Sequence, residues 1–273
     1  MELKELNKTG VKIPAIGIGT WGIGGYLTPD YSKDEEAVKA LKKGIELGMY
    51  LIDTAEMYGR GHSEEIVGEA IKYFPREKVF IVTKVLPENL RYNDLINSFQ
   101  KSLRRLNTDY IDLYLIHAPN PNIPLKETMS AMEKLVEEGI LKFIGVSNFN
   151  IFQIEEAKKY LRRTDIVVNQ VEYSLVDRRI ERDLLPYCLK NNITVMAYCP
   201  LARGILPKNE LLKQIGIKYG KTAAQVALNW LIQKENVVAI PKALNTEHLK
   251  ENAQATGWRL TEEDLQLINK HFK

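Results

Sequence analysis

The sequence predicts an α/β protein of the (β/α)8 (TIM) barrel class, with an N-terminal β-hairpin and extra helices after barrel strand seven and at the C-terminus. Three observations point there. Short apolar runs of strand length alternate with longer segments of helical period. Eight such strand–helix units follow one another, with strand starts mostly ~25–35 residues apart, the separation that parallel strands need for their crossovers. At 273 residues the chain is long for one ordinary domain but within the usual size of a closed barrel. No linker or shift of composition divides it, so residues 1–273 read as one barrel domain.

The elements follow in order. Leu3–Leu6 and Val11–Ile13 form a hairpin around the turn Asn7-Lys8-Thr9-Gly10. Pro14–Gly19 is the first buried strand, and a Gly/Pro-rich loop runs on to Ser32. The box Ser32-Lys33-Asp34-Glu35 opens a helix with Val38, Leu41 and Ile45 on one face, and Gly48 ends it. Strand Tyr50–Asp53 precedes a helix capped at Ser63, with apolar positions from Ile66 to Phe74 and Pro75 as its stop. Strand Val79–Thr83 precedes a helix at about Asn93–Leu106, and strand Tyr110–Ile116 one at about Leu125–Glu138. Strand Lys142–Val146 precedes a helix at Ile151–Leu161, and strand Ile166–Glu172 one at Ile180–Lys190. Strand Ile193–Tyr198 leads to a helical pair, Glu210–Tyr219 and Ala223–Gln233, the second opened by the box Thr222-Ala-Ala-Gln225. Strand Val237–Ile240 precedes a helix at Glu247–Ala255, and a last amphipathic helix is capped at Thr261.

Composition excludes several classes. The net charge is only +3, with 38 basic and 35 acidic side chains well mixed, so no basic stripe suits nucleic acid. The two cysteines, Cys188 and Cys199, lack the Cys-x-x-Cys spacing and read as reduced thiols of a cytoplasmic protein. The start Met-Glu-Leu-Lys-Glu-Leu has no apolar signal core, and no apolar run approaches the ~18 residues of a membrane span. A monomer is expected rather than an oligomer.

Gly17-Ile-Gly19-Thr-Trp-Gly22 matches Gly-x-Gly-x-x-Gly letter for letter after a strand. The dinucleotide fingerprint, however, needs a helix at once, to hold a pyrophosphate at its N-terminus. Here Ile23-Gly-Gly-Tyr-Leu-Thr-Pro-Asp follows, and no strand-end carboxylate lies about 20 residues on. The stretch reads as a glycine loop at the barrel mouth.

Active sites of such barrels form where strands meet the loops that follow them. Strand two ends in Asp53, with Tyr58 on its loop; strand three gives Lys84; strand four gives His117. Strand five gives Ser147 and Asn148, strand six Asn169, Gln170 and Tyr173, strand seven Tyr198, and strand eight Lys242. Taken singly, a strand-end aspartate is usually a cap, a lysine there is usually solvated, and a histidine usually packs. Four different ionisable groups on adjacent strands two, three and four weaken that reading, because barrel closure aims all four at one small volume.

Asp, Lys, Tyr and His together suggest proton donation to an oxygen. A phenol titrates near ~10, too high for a good acid at neutral pH. The Lys84 ammonium is expected to favour the phenolate and lower that value, with Asp53 holding Lys84 charged and His117 donating to a substrate oxygen. Reduction of a carbonyl would then need a hydride from a cofactor. No residue spacing suits a metal, so none is expected.

At these residues the chain resembles the aldo-keto reductase family, over nearly its whole length. The most specific matches are Leu51-Ile-Asp-Thr-Ala-Glu-Met-Tyr-Gly59, Val82-Thr-Lys84, Ser102-Leu-Arg-Arg-Leu106 with Asp109-Tyr-Ile-Asp-Leu-Tyr-Leu-Ile-His117, Gly145-Val-Ser-Asn-Phe149, Asn169-Gln170 and Ile240-Pro-Lys242. The resemblance implies an NAD(P)H-dependent reductase of aldehydes and ketones, with a tetrad of Asp53, Tyr58, Lys84 and His117 and with Tyr58 as general acid. It implies that Ser147, Asn148 and Gln170 hold the nicotinamide carboxamide and that Tyr198 stacks on its ring. Thr20, Trp21 and Asp53 would lie beside the cofactor. Leu201 and Arg203 would cover its pyrophosphate, Lys242 and His248 would meet an adenosine 2′-phosphate, and Glu251 and Asn252 the adenine.

The chain departs from the pattern at three places. His248, Ala243 and Asn245 stand where many members carry an arginine and hydroxyl residues, and a neutral imidazole grips phosphate less well than an arginine fork. NADPH is therefore favoured through Lys242, with NADH use left open. Ala118 follows His117 where many members have tryptophan, and no long C-terminal loop follows the last helix, which together imply an open, permissive site for small carbonyl substrates. Two other functions compete. Lys84 could form a Schiff base in a lyase, which a neighbouring carboxylate opposes by keeping the amine charged. A non-catalytic nucleotide-sensing subunit would have no need of an intact tetrad.

Overall fold

The computed structural model describes residues 1–272; Lys273, the last residue of the expected domain, lies outside the described residues. Strands β1 (Leu3–Glu5) and β2 (Lys12–Pro14) form the expected antiparallel hairpin. Then come β3 (Ile18–Gly19), β4 (Leu51–Asp53), β5 (Phe80–Val85), β6 (Ile111–Ile116), β7 (Leu141–Ser147), β8 (Ile166–Glu172), β9 (Thr194–Tyr198) and β10 (Val237–Ala239). These eight make one sheet in sequential order, parallel throughout. Ile16 bridges Ala239 in parallel, Gly17 N donates to Ala239 O at 2.8 Å, and Gly19 N to Pro241 O at 3.1 Å, so the first and last strands meet and the barrel closes. The seam is tight: a Cβ on Gly19 would stand 2.7 Å from Ile240 O, which accounts for that glycine of the false nucleotide fingerprint.

The helices are α1 (Asp34–Glu46), α2 (His62–Ile71), α3 (Tyr92–Leu106), α4 (Leu125–Glu137) and α5 (Ile151–Lys158). They continue with α6 (Leu184–Lys190), the pair α7 (Glu210–Tyr219) and α8 (Ala223–Ile232), then α9 (Thr246–Ala253) and α10 (Glu262–His271). The box at Thr222 and Gln225 forms in both directions, at 3.2 and 3.0 Å, and Thr261 caps α10.

Two expected caps do not form. Ser32 N is drawn into a turn by Asp30 Oδ1 at 3.0 Å, so α1 starts after Lys33 with no side-chain cap. Its first turn carries Asp34, Glu35 and Glu36 instead, which suit the positive end of the helix dipole. Ser63 lies inside α2, whose N-cap is Gly61 at φ 96. Its buried hydroxyl donates to Thr20 Oγ1 at 2.9 Å and accepts from Thr54 Oγ1 at 3.2 Å, tying α2 to two strand ends. Helix α2 also stops before Phe74, and α6 begins later than expected because Asp183 caps it, accepting from Leu184 N at 2.7 Å.

Apolar residues pack in two layers. The larger lies between sheet and helices and includes Trp230, Phe99 and Tyr114. The smaller fills the barrel, with Leu51, Val82, Leu113, Leu115, Val168, Met196, Val238 and Ile240 pointing inward. Leu6 and Ile13 of the hairpin pack onto that inner layer, and Asn7 N donates to Thr194 Oγ1 at the start of β9 at 3.1 Å. The hairpin thus plugs the N-terminal end and leaves the C-terminal end open.

Candidate active site

Side chains alternate along a strand, so residues two apart share a face. The inward rows therefore run Leu51 to Asp53, Val82 to Lys84, Leu115 to His117, Val168 to Gln170, Met196 to Tyr198, and Ile240 to Lys242. Each apolar row ends in a polar residue at the C-terminal mouth. The period of two that fills the core also builds the site.

Lys84 is the centre of it and is wholly buried. Its Nζ lies 2.8 Å from Asp53 Oδ1 and 2.9 Å from Oδ2, and donates to Thr54 O at 2.7 Å and to Tyr58 Oη at 3.1 Å. Three directions are thus taken, which leaves the ammonium no freedom to turn. The Tyr58 ring stands edge-on to His117, with centroids 5.8 Å apart, and edge-on to Trp21 at 4.8 Å. The expected four groups are brought together in one volume.

Their electrostatics correct one expectation. Burial pushes the Tyr58 phenol above its ordinary value, and the pull of Lys84 in the other direction does not overcome it. Asp53 and Cys199 add to the upward push. The phenol is thus held in its proton-carrying form, while Lys84 stands where it would stabilise a phenolate. Burial works against the charge on Lys84, but Asp53 and Tyr58 outweigh it and hold the amine above its ordinary value. A lysine so held is a poor candidate for imine formation. Burial and the nearby ammonium push His117 down to about 3, so its ring is neutral. A neutral imidazole can donate one hydrogen bond and is no reservoir of charge.

The nearer cofactor candidates join this centre. Thr20 N donates to Asp53 O at 3.0 Å, and Gln170 Nε2 donates to Asp53 Oδ1 at 2.7 Å. Asn148, in the left-handed region at φ 61, donates from Nδ2 to Ser147 Oγ at 3.0 Å and to His117 O at 3.2 Å. Tyr198 Oη donates to Asn148 Oδ1 at 3.0 Å. Hydroxyls and side-chain amides stand side by side here, a donor and acceptor set that fits a nicotinamide carboxamide. The remaining candidates are not linked to the tetrad by any hydrogen bond among the described residues. Arg203 pairs with Glu172 at 3.4 Å, and Leu201 is half-buried beside it. Lys242 and His248 are exposed, whereas Asn252, next to half-buried Glu251, is buried. Among the described residues, no group of three or more His, Cys, Asp or Glu is placed to hold a metal ion, and no helix is long and apolar enough to cross a membrane.

Sequence reasoning missed four contributors. Thr54 serves through its main-chain oxygen, which no side-chain pattern reveals. Buried Glu56 and Glu64, with half-buried Arg105, form a polar cluster behind Lys84. Arg105 lies within a stretch singled out above, but periodicity marks apolar rows and is silent on charges beneath them.

Comparison with known proteins agrees with this geometry. A methylglyoxal reductase of Escherichia coli, YeaE, is 42% identical over 100% of this chain and 96% of its own length. A glyoxal reductase of Bacillus subtilis is 38% identical over 95% and 89%. Among solved structures, the thermostable aldo-keto reductase Tm1743, in complex with the inhibitor epalrestat, superposes with a TM-score of 0.95 at 52% identity, covering 99% of both chains. An aldo/keto reductase of Klebsiella pneumoniae, in complex with NADP and acetate, gives 0.91 at 39%, covering 99% of this chain and 95% of that one. The family model itself matches residues 15–273, from the first barrel strand through the last helix, and the chain therefore belongs to the aldo/keto reductase family.

Proposed function

We propose that this protein reduces small aldehydes and ketones, 2-oxoaldehydes of the methylglyoxal kind foremost, with NADPH as the favoured reductant and Tyr58 as general acid. The observation that carries the reading is the 3.1 Å contact between Tyr58 Oη and a Lys84 ammonium fixed by Asp53 and Thr54 O. The names of the relatives support the substrate class, and the Klebsiella complex supports the cofactor. A nicotinamide held at the mouth would supply the hydride that the carbonyl carbon takes up. Tyr58 gives its proton to the carbonyl oxygen, so the product is an alcohol and the phenol becomes a phenolate. Lys84 stabilises that phenolate until solvent returns the proton, and Asp53 keeps Lys84 charged. His117, being neutral, donates a hydrogen bond to the same oxygen and orients it. Ser147, Asn148 and Gln170 would hold the carboxamide, and Tyr198 would meet the nicotinamide.

General acid catalysis typically contributes ~10²–10⁴-fold, so Tyr58→Phe should lower turnover of methylglyoxal by that order. Binding of NADPH, followed by quenching of protein fluorescence, should persist in the variant. Turnover at the native rate in Tyr58→Phe would remove Tyr58 from the role. A panel of aldehydes and ketones offered with NADPH and NADH, read at the nicotinamide absorbance, tests the substrate class.

A further inference from the structure

We propose that Arg105, on α3 and outside the reacting volume, is a positioning residue that sets the distance between Tyr58 and Lys84; this rests on the reading of Tyr58 as the acid. The two partners stand on different segments. Lys84 belongs to β5, and Tyr58 to the loop between β4 and α2. Something must hold that loop against that strand, and the guanidinium of Arg105 meets the loop directly and reaches the strand through Glu64.

Arg105 Nε donates to Glu64 Oε2 at 2.6 Å, and Nη2 lies 4.0 Å from Glu56 Oε2. The two carboxylates hold the chain on either side of Lys84, one within β5 and one just past its end. Glu64, wholly buried, accepts from Thr83 Oγ1 at 2.6 Å, immediately before Lys84. Glu56 accepts from Leu86 N at 2.7 Å and from Asn89 Nδ2 at 3.2 Å, just after it. Glu56 also precedes Tyr58 by two residues and so belongs to the loop itself. Behind Tyr58, the guanidinium lies against Gly61: a Cβ there would stand 2.5 Å from Arg105 Nε, and φ is +96. The loop is therefore fixed at both ends, at Glu56 and at Gly61, by the group that also fixes β5 through Glu64.

Thr83 alternates with Lys84, so this cluster lies on the outer face of β5 and meets neither substrate nor cofactor. Burying such charges adds little net stability, since an apolar replacement of the same shape often does as well. What a fork of fixed geometry adds is placement. Lysine, a point charge on a flexible stem, cannot hold both carboxylates at the same angle.

The test uses the full-length protein and four variants: Tyr58→Phe, Arg105→Ala, Arg105→Lys and Glu56→Gln. For each, kcat and KM for methylglyoxal, NADPH affinity by fluorescence, the pH dependence of kcat and the melting temperature are measured. Misplacement by about 1 Å can cost ~10²-fold, and Arg105→Ala should lose kcat on that order with KM and NADPH affinity kept. Glu56→Gln should lose kcat less, and Arg105→Lys should recover melting temperature more fully than kcat. The groups facing the phenol (Lys84, Asp53, His117 and Cys199) are unchanged in the Arg105 and Glu56 variants, so a longer Tyr58–Lys84 distance should move the alkaline limb of kcat to higher pH. A cluster that only stabilises would lower the melting temperature and leave kcat and the limb as they were. That result in folded Arg105→Ala, or in Glu56→Gln if Arg105→Ala does not fold, overturns the proposal while an inactive Tyr58→Phe leaves the reading of Tyr58 intact. Activity in Tyr58→Phe overturns both.

Discussion

Gln170 Nε2 donates to Asp53 Oδ1 at 2.7 Å, a bond from β8 to β4 across the width of the barrel. Asp53 thus faces two donors, the ammonium of the adjacent strand and an amide from the opposite wall. The residue proposed to hold the nicotinamide and the residue proposed to hold the acid's lysine share one carboxylate. Cofactor placement and acid placement are tied through that group. Asp53→Asn keeps the volume but removes the charge, and Lys84 is then a wholly buried cation without a counter-ion. Breaking a buried pair in this way costs about 3–5 kcal/mol, so the urea midpoint should fall together with turnover. Gln170→Ala removes only the neutral donor and should weaken NADPH binding with a smaller loss of stability. An unchanged urea midpoint in Asp53→Asn would mean that Lys84 gives up its proton at small cost.

His117 supplies a pH-dependent signature of folding. Among the described residues its buried Nδ1 has no partner, and burial with the Lys84 ammonium depresses the ring to about 3. In the unfolded chain the same ring titrates near ~6.5. Between those two values the unfolded chain takes up a proton that the folded chain refuses, so His117 makes stability fall as pH drops from ~6.5 toward 3. At ~1.4 kcal/mol for each pH unit, the loss amounts to a few kcal/mol. His117→Gln should flatten this slope in urea titrations at pH 7 and pH 4. Turnover should show no inflection near pH 6.5 from this group, because it is already neutral there.

Much of the site was legible because its placement follows from strand period and barrel closure. Asp53, Lys84, His117 and Gln170 each end an inward apolar row, and those rows are visible as Leu51-Ile-Asp53 or Val82-Thr-Lys84 in the letters alone. What depends on the balance of opposing effects was not legible. That Lys84 pulls the phenol down could be read; that burial outweighs it depends on a depth no sequence gives. Helix starts failed for a similar reason. Ser32 and Ser63 have the right letters for caps, but Asp30 competes for one backbone, and Thr20 and Thr54 claim the other hydroxyl. The Glu56–Arg105–Glu64 cluster joins residues of one loop and two helices, and no spacing along the chain announces it.

In the proposed reading, cofactor choice turns on the mouth beyond β10. Lys242 continues the inward row of Ile240 into solvent and, among the described residues, makes no ion pair. The first turn of α9 cannot take its place in full, because Asn245 Oδ1 already accepts from Glu247 N at 2.8 Å and from His248 N at 3.4 Å. On the proposed reading, a 2′-phosphate would chiefly meet the charge of Lys242; His248 is exposed as well. A hydrogen bond to a charged group contributes about 1.5–3 kcal/mol, so Lys242→Ala should raise KM for NADPH by about 10–10²-fold. The same substitution should scarcely move KM for NADH, which has no phosphate there. The preference should also weaken with added salt, as an exposed charge contact does. Equal effects on the two nucleotides would place phosphate recognition elsewhere on the mouth.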